Sequence, residues 1–170
     1  MPDIGVIYPG GGTYYMGYKE IIYTIENKNI ALITLNRPDA MNALTFKTHE
    51  ELGQAIEEAN NDNNIRVIVI TGAGNGFCSG DDVKVIFGGE ETPGEEVEWR
   101  NREAMLKYLQ GKGLLGGGGA QLLTVNKPSI AAVNGAAVGY GCDITLMCDM
   151  RIASDKARFG EVFLRVGLIP

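Results

Sequence analysis

Histidine occurs once in these 170 residues, at His49. A Ser-His-Asp relay or a histidine-bearing zinc site would have to run through that one ring. His49 sits in a polar helix pattern, far in sequence from the glycine-rich stretches described below, and reads as a helix surface or edge residue. Cysteine is also scarce. Cys78, Cys142 and Cys148 are an odd number with no CxxC spacing, so neither a disulfide framework nor a metal site is expected. Reduced thiols in a cytoplasmic protein are the simplest account. Positive charge is short as well: 15 Lys and Arg against 21 Asp and Glu leave a net charge of −6. That balance argues against nucleic acid and anionic membrane surfaces as partners, although a small anionic ligand needs only a few local donors. No apolar run reaches transmembrane length, and the N-terminus lacks a signal-peptide pattern.

What the chain does have is glycine, 24 residues of it, much of it clustered where strands end. Residues 1 to 18 read as an N-terminal extension, and a single core is expected over 19 to 170. Glu20 to Glu26 and Ile30 to Leu35 are strands around the turn Asn27-Lys28-Asn29, hence a hairpin. A helix is expected from about Thr45 to Asn60, with Phe46, Leu52, Ile56 and Ala59 at helical spacing. Val67-Ile68-Val69-Ile70 is β-branched throughout and reads as a buried strand. It runs into the glycine-rich turn Thr71 to Asp82. Ile130-Ala131-Ala132-Val133 is a second such strand. It runs into Asn134-Gly135-Ala136-Ala137-Val138-Gly139-Tyr140-Gly141-Cys142-Asp143, followed by the apolar helix Ile144 to Cys148. Between these units, residues 93 to 110 suit a glycine-flanked helix, either a lid or a surface insertion. Strands alternating with helices give an α/β fold.

Neither glycine turn ends in Gly-Lys-Ser/Thr, and neither completes a dinucleotide fingerprint. A strand that turns into a helix offers backbone N–H groups at a positive helix end. If both turns converge, each can give one N–H to a single oxygen, and Asp143 stands one turn beyond with a carboxylate. Removing one such donor from a developing oxyanion costs about 3 kcal/mol of transition-state stabilisation. On the second stretch alone, a tight strand-to-helix turn with a capping aspartate is the better reading of the residues.

Four segments in order resemble the crotonase family, the enoyl-CoA hydratase/isomerase superfamily. They are Asn36-Arg37-Pro38 with Asn42-Ala43-Leu44, Phe77-Cys78-Ser79-Gly80-Asp81-Asp82, Lys127-Pro128 through Asp143, and Cys148-Asp149-Met150-Arg151-Ile152-Ala153 through Gly167-Leu168-Ile169-Pro170. The resemblance implies a spiral of ββα turns, an acyl-CoA thioester substrate, no cofactor beyond the coenzyme A carried by that substrate, and a homotrimer or hexamer. By motif position the oxyanion donors are the backbone N–H groups of Asp81 and Tyr140. Arg37, Ala40, Asp81, Asp82, Val83 and Lys84 would border the CoA moiety, with Gly139 and Phe163 beside the acyl group. Arg37 either reaches a CoA phosphate or caps a turn.

Departures from the family pattern are informative. The first of the two carboxylates that hold water in hydratases is Asp143, one methylene shorter. The second position falls on Phe163, which exchanges no proton, while Glu161 lies two residues earlier. Asp143 and Glu161 are therefore the candidate catalytic side chains, for hydration of an enoyl-CoA first and double-bond isomerisation second, although a solvated or structural carboxylate accounts for Glu161 as well. A thioester-binding fragment without activity is the alternative from another class. The apolar pattern is still running at Pro170, so the chain is read as lacking the family's C-terminal helical part, a fragment or one half of a split protein.

Overall fold

The computed structural model describes residues 6–7, 13–14, 17–88 and 118–166. The helix expected over residues 93 to 110 and the segment 167 to 170 lie outside the described residues. Two-residue strands Val6–Ile7 (β1) and Thr13–Tyr14 (β2) lie antiparallel beside Ile21–Glu26 (β3). The expected hairpin joins β3 to Ile30–Leu35 (β4). Asn27 and Lys28 both take positive φ, 50° and 70°, the turn geometry whose twist matches a hairpin. In β4 the alternation is strict: Ala31, Ile33 and Leu35 face the core.

Phe46–Asn61 (α1) carries the chain from β4 to the parallel strand Val67–Gly72 (β5). Thr45 caps it by accepting from the Thr48 N–H, and Thr48 returns the bond to the Thr45 N–H. Glu20 accepts from both hydroxyls, which ties the helix start to the start of β3. The predicted apolar stripe is the packed one. Leu52, Ala55, Ile56 and Ala59 join Ile33, Leu35, Ile68 and Ile70 in one core. Burying each Leu or Ile stabilises by about 1.5–3 kcal/mol. Asp62 ends the helix, as the polar run predicted.

Each glycine-rich turn contains a strand that the sequence reading did not separate. Gly76–Cys78 (β6) follows β5 and leads to the short helix Val83–Gly88 (α2). Ser129–Val133 (β7) is followed by Ala136–Val138 (β8) and then by Tyr140–Met147 (α3). Three residues are too few to show a period of two; these strands exist because β6 and β8 pair with each other. Met150–Ala153 (β9) and Arg158–Gly160 (β10) complete the described strands. Among the described residues, one sheet runs β1-β2-β3-β4-β5-β7-β9, parallel from β4 onward, and a smaller parallel sheet runs β10-β8-β6. Strand, strand, helix is thus the repeating unit.

α3 begins at Tyr140, four residues before the apolar run from which a helix was expected. Gly139 makes the corner with φ 52° and ψ −130°. Gly141 then lets α3 touch β6: a Cβ there would stand 2.4 Å from the Cys78 carbonyl oxygen. Two asparagines lock the first turn. Asn42 donates to the carbonyls of Ala73 and Gly76, and Asn134 donates to those of Gly72, Gly74 and Gly76. Among the described residues, no helix is long and apolar enough to cross a membrane.

Candidate active site

The end of β6 and the end of β8 are brought side by side by their pairing. Gly80 has φ 93°, and a Cβ placed on it would lie 2.9 Å from the Val138 carbonyl oxygen and 3.5 Å from the Tyr140 nitrogen. The Gly80–Asp81 and Gly139–Tyr140 peptides are therefore neighbours. Leu44 fixes the first of them on both sides of Asp81, donating to the Gly80 carbonyl and accepting from the Asp82 N–H. The second is fixed by Gly139, whose N–H donates to Gly160 and whose carbonyl accepts from Cys142 and Asp143. Tyr140 opens α3, where the leading N–H groups find no acceptor inside the helix.

Asp143 stands in the first turn of α3. Partial burial pushes its carboxyl above the ordinary range, helped by the negative charges of Glu161 and Asp81. Desolvation and like charge thus outweigh the helix end, a balance the residues alone left open. Glu161 is exposed, and its carboxylate lies against the Cys142 thiol. Burial and that neighbour hold Cys142 up to about 11, and burial holds Cys78 up to about 12. Protonated thiols are core groups and poor nucleophiles. Phe163 covers the corner: its ring lies 3.9 Å from where a Gly139 Cβ would be.

A second group of predicted residues forms a rim along β6 and the start of α2. Ala40 accepts from the Ser79 hydroxyl, and the Met41 carbonyl accepts from the Ser79 N–H, so the 40–44 segment lies against 79–82. Asp82 accepts from the Lys84 N–H, and Val83 and Lys84 are exposed on the outer side. Arg37 is engaged inward. Its guanidinium meets Asp82 at 3.1 Å and Glu20 at 3.6 Å and donates to the Ala43 carbonyl. That arrangement ties the 37–43 turn to β3 and to the rim.

His49 is neither a surface nor an edge residue. It is buried, with 7% exposure, and lies at the site. Its Nε2 is 2.9 Å from Asp81 Oδ1, and its Nδ1 accepts from the Gly118 N–H at 3.0 Å. Its ring packs edge-on against the Tyr140 ring, with centroids 5.1 Å apart. The Tyr140 hydroxyl lies 3.4 Å from where a Gly119 Cβ would be, and burial pushes the phenol pKa up. A signal for His49 existed: it shares the spacing of Leu52 and Ile56, three and seven residues on, and so belongs to the buried face of α1.

A sequence profile described as Enoyl-CoA hydratase/isomerase matches residues 25–170. The chain is 37% identical over 153 residues to the probable enoyl-CoA hydratase EchA14 of Mycobacterium tuberculosis, covering 90% of this chain and 54% of that protein. It is 37% identical over 157 residues to the short-chain-enoyl-CoA hydratase of Clostridium acetobutylicum, covering 91% and 54%. Among solved structures, a putative enoyl-CoA hydratase from Thermobifida fusca in complex with acetoacetyl-CoA superposes with a TM-score of 0.74 at 33% identity, over 89% of this chain and 57% of that one. The likeness bears out the expected crotonase-like α/β fold. The chain spans about half the length of the curated relatives it matches.

Proposed function

The chain belongs to the enoyl-CoA hydratase/isomerase family, and from that premise we propose that it acts on an acyl-CoA thioester by holding the carbonyl oxygen between the Asp81 and Tyr140 N–H groups. The observation that carries this reading is the approach of the Gly80–Asp81 and Gly139–Tyr140 peptides, with Asp143 in the adjoining first turn. Two N–H donors aimed at one oxygen stabilise the enolate that forms when a nucleophile adds to the conjugated chain. Hydration of an enoyl-CoA is the reaction proposed first. Ionised Asp143 takes a proton from water as its oxygen bonds to C3, electrons move to the thioester oxygen, and a proton returns to C2. The charge of Glu161 acts on Asp143, which supports a two-carboxylate arrangement despite Phe163. Coenzyme A enters as part of the substrate, and the rim of Ala40, Asp82, Val83 and Lys84 is proposed to border it. Family membership makes a trimer or a dimer of trimers the proposed assembly.

Phe163 favours a second reading. With an aromatic wall at Gly139, one carboxylate suffices to carry a proton between C2 and C4, which shifts a double bond. Loss of the conjugated thioester absorbance of crotonyl-CoA tests hydration, and its gain from a 3-enoyl-CoA tests the shift. Asp143→Asn lowers kcat about 10²–10⁴-fold, the usual worth of a positioned acid or base. In the wild type, the acid limb of the rate profile lies above the ordinary carboxylate range, because Asp143 must lose its proton to act as base and its pKa is raised. Equal rates for wild type and Asp143→Asn remove Asp143 from the mechanism. Thioester binding with no turnover of either substrate replaces the enzyme by a binding protein.

A further inference from the structure

His49 meets both glycine turns, Asp81 of the first and Tyr140 of the second. Its Nδ1 accepts a backbone N–H, so the neutral ring carries its one proton on Nε2, and Nε2 donates to Asp81 Oδ1. Asp81 is thereby gripped from two directions: Leu44 holds the backbone on either side of it, and His49 holds its carboxylate. The same imidazole presses edge-on against Tyr140. The contact with Gly118 is intimate, since a Cβ there would fall 2.0 Å from the His49 carbonyl oxygen. The start of the 3-10 helix Gly118–Leu123 is thus met by His49 at Gly118 and by the Tyr140 ring at Gly119.

We propose that His49 is a positioning residue, which fixes the Asp81 peptide relative to Tyr140 through one neutral imidazole with its proton on Nε2. It does not touch the reacting atoms. This inference rests on the reading of the Asp81 and Tyr140 N–H groups as the donors to the thioester oxygen. A buried apolar side chain would fill the same volume but leave Asp81 held only by its backbone. The Gly118 N–H would also lose its acceptor. An oxygen site depends on donor placement, and small displacements are felt strongly in rate.

The test uses the whole chain and needs no assumption about folding, because its one histidine gives a single ring to observe. Long-range ¹H–¹⁵N spectra of the wild type at neutral pH should show a neutral ring protonated on Nε2. An Nδ1-protonated ring or an imidazolium overturns the proposal whatever the activity. His49→Phe keeps the volume, and His49→Gln keeps a donor for Asp81. With crotonyl-CoA, His49→Phe should lower kcat by about tenfold to a hundredfold with KM nearly unchanged, and His49→Gln should recover most of the loss. In parallel, the carbonyl stretch of a bound acyl-CoA should shift less from its solution frequency in His49→Phe than in wild type. An unchanged carbonyl band and kcat in His49→Phe, or equal losses in both variants with KM rising in step, overturns the positioning role. A wild type that binds the thioester without any carbonyl shift refutes the oxygen-donor reading of Asp81 and Tyr140, and the positioning role falls with it. The tautomer assignment still stands or falls on the spectra.

Discussion

Gly80→Ala is the substitution that most directly separates the two halves of the site. Two effects add. At φ 93° an L side chain is strained, costing about 1–3 kcal/mol. The new methyl would also stand 2.9 Å from the Val138 oxygen, whereas an unforced C···O contact is about 3.3–3.6 Å. The β6 and β8 ends must part by about half an ångström to restore that contact. Because Tyr140 follows Val138 by two residues, its N–H moves away from Asp81 as well. A misplacement of 1 Å costs on the order of a hundredfold in rate, so about tenfold is expected in kcat. The melting temperature should fall by about 2–4 °C for each kcal/mol of strain in a chain of this size. The assay pairs crotonyl-CoA turnover with thermal unfolding of the same sample. A melting temperature that drops while kcat stays within about twofold of wild type would refute the reasoning, because spacing between the turns would then not set the rate.

Asn42→Ala removes a side chain that is 1% exposed, leaves the Ala73 carbonyl without its donor and the Arg37 N–H without its acceptor, and leaves the Gly76 carbonyl to Asn134 alone, so unfolding in urea should show a loss of about 2–4 kcal/mol. A loss under about 0.5 kcal/mol, the range of an ordinary surface change, would mean that water replaces it freely. Ser129→Ala tests a pH effect. The Ser129 N–H and hydroxyl hold the Asp149 carboxyl below its ordinary range, so this contribution is present above the unfolded-state pKa and is lost as pH falls through the lowered folded value. Melting curves should show Ser129→Ala less stable than wild type at neutral pH, with the gap closing in strong acid. A gap that widens on acidification would reverse the assignment.

The regular part of the fold was legible because its residues carry their own signal. β4 alternates, and α1 has Leu52, Ile56 and Ala59 on one side with a threonine at its start. The parts that build the site were not legible in the same way. β6 and β8 are three residues long and are strands only by virtue of pairing with each other and, for β8, with β10. The start of α3 at Tyr140 is set by the fit of Gly141 against Cys78, which no local pattern encodes. The spacing of His49 to Leu52 and Ile56 carries its burial, but not its partners, Asp81 and Gly118, which lie 32 and 69 residues along the chain. The direction of the Asp143 shift needed the positions of Glu161 and Asp81, not just their presence.

The parallel pairing of the two ββα units has a kinetic consequence. The hairpin of β3 and β4 closes over a few residues and has a turn already shaped for it. The hydroxyl of Thr71 and the carbonyl of Ala132, by contrast, must find each other across 61 residues. Closing a flexible loop of that length costs about 3.6 kcal/mol of chain entropy beyond a constant, before any contact rewards it. Long-range parallel pairing is accordingly expected late in folding, after the hairpin and α1. Since Gly80 follows β5 and Gly139 follows β7, assembly of the site waits on that closure. Mutations along β5 and β7 should then act chiefly on the refolding rate of the site, and mutations in the hairpin on events before it.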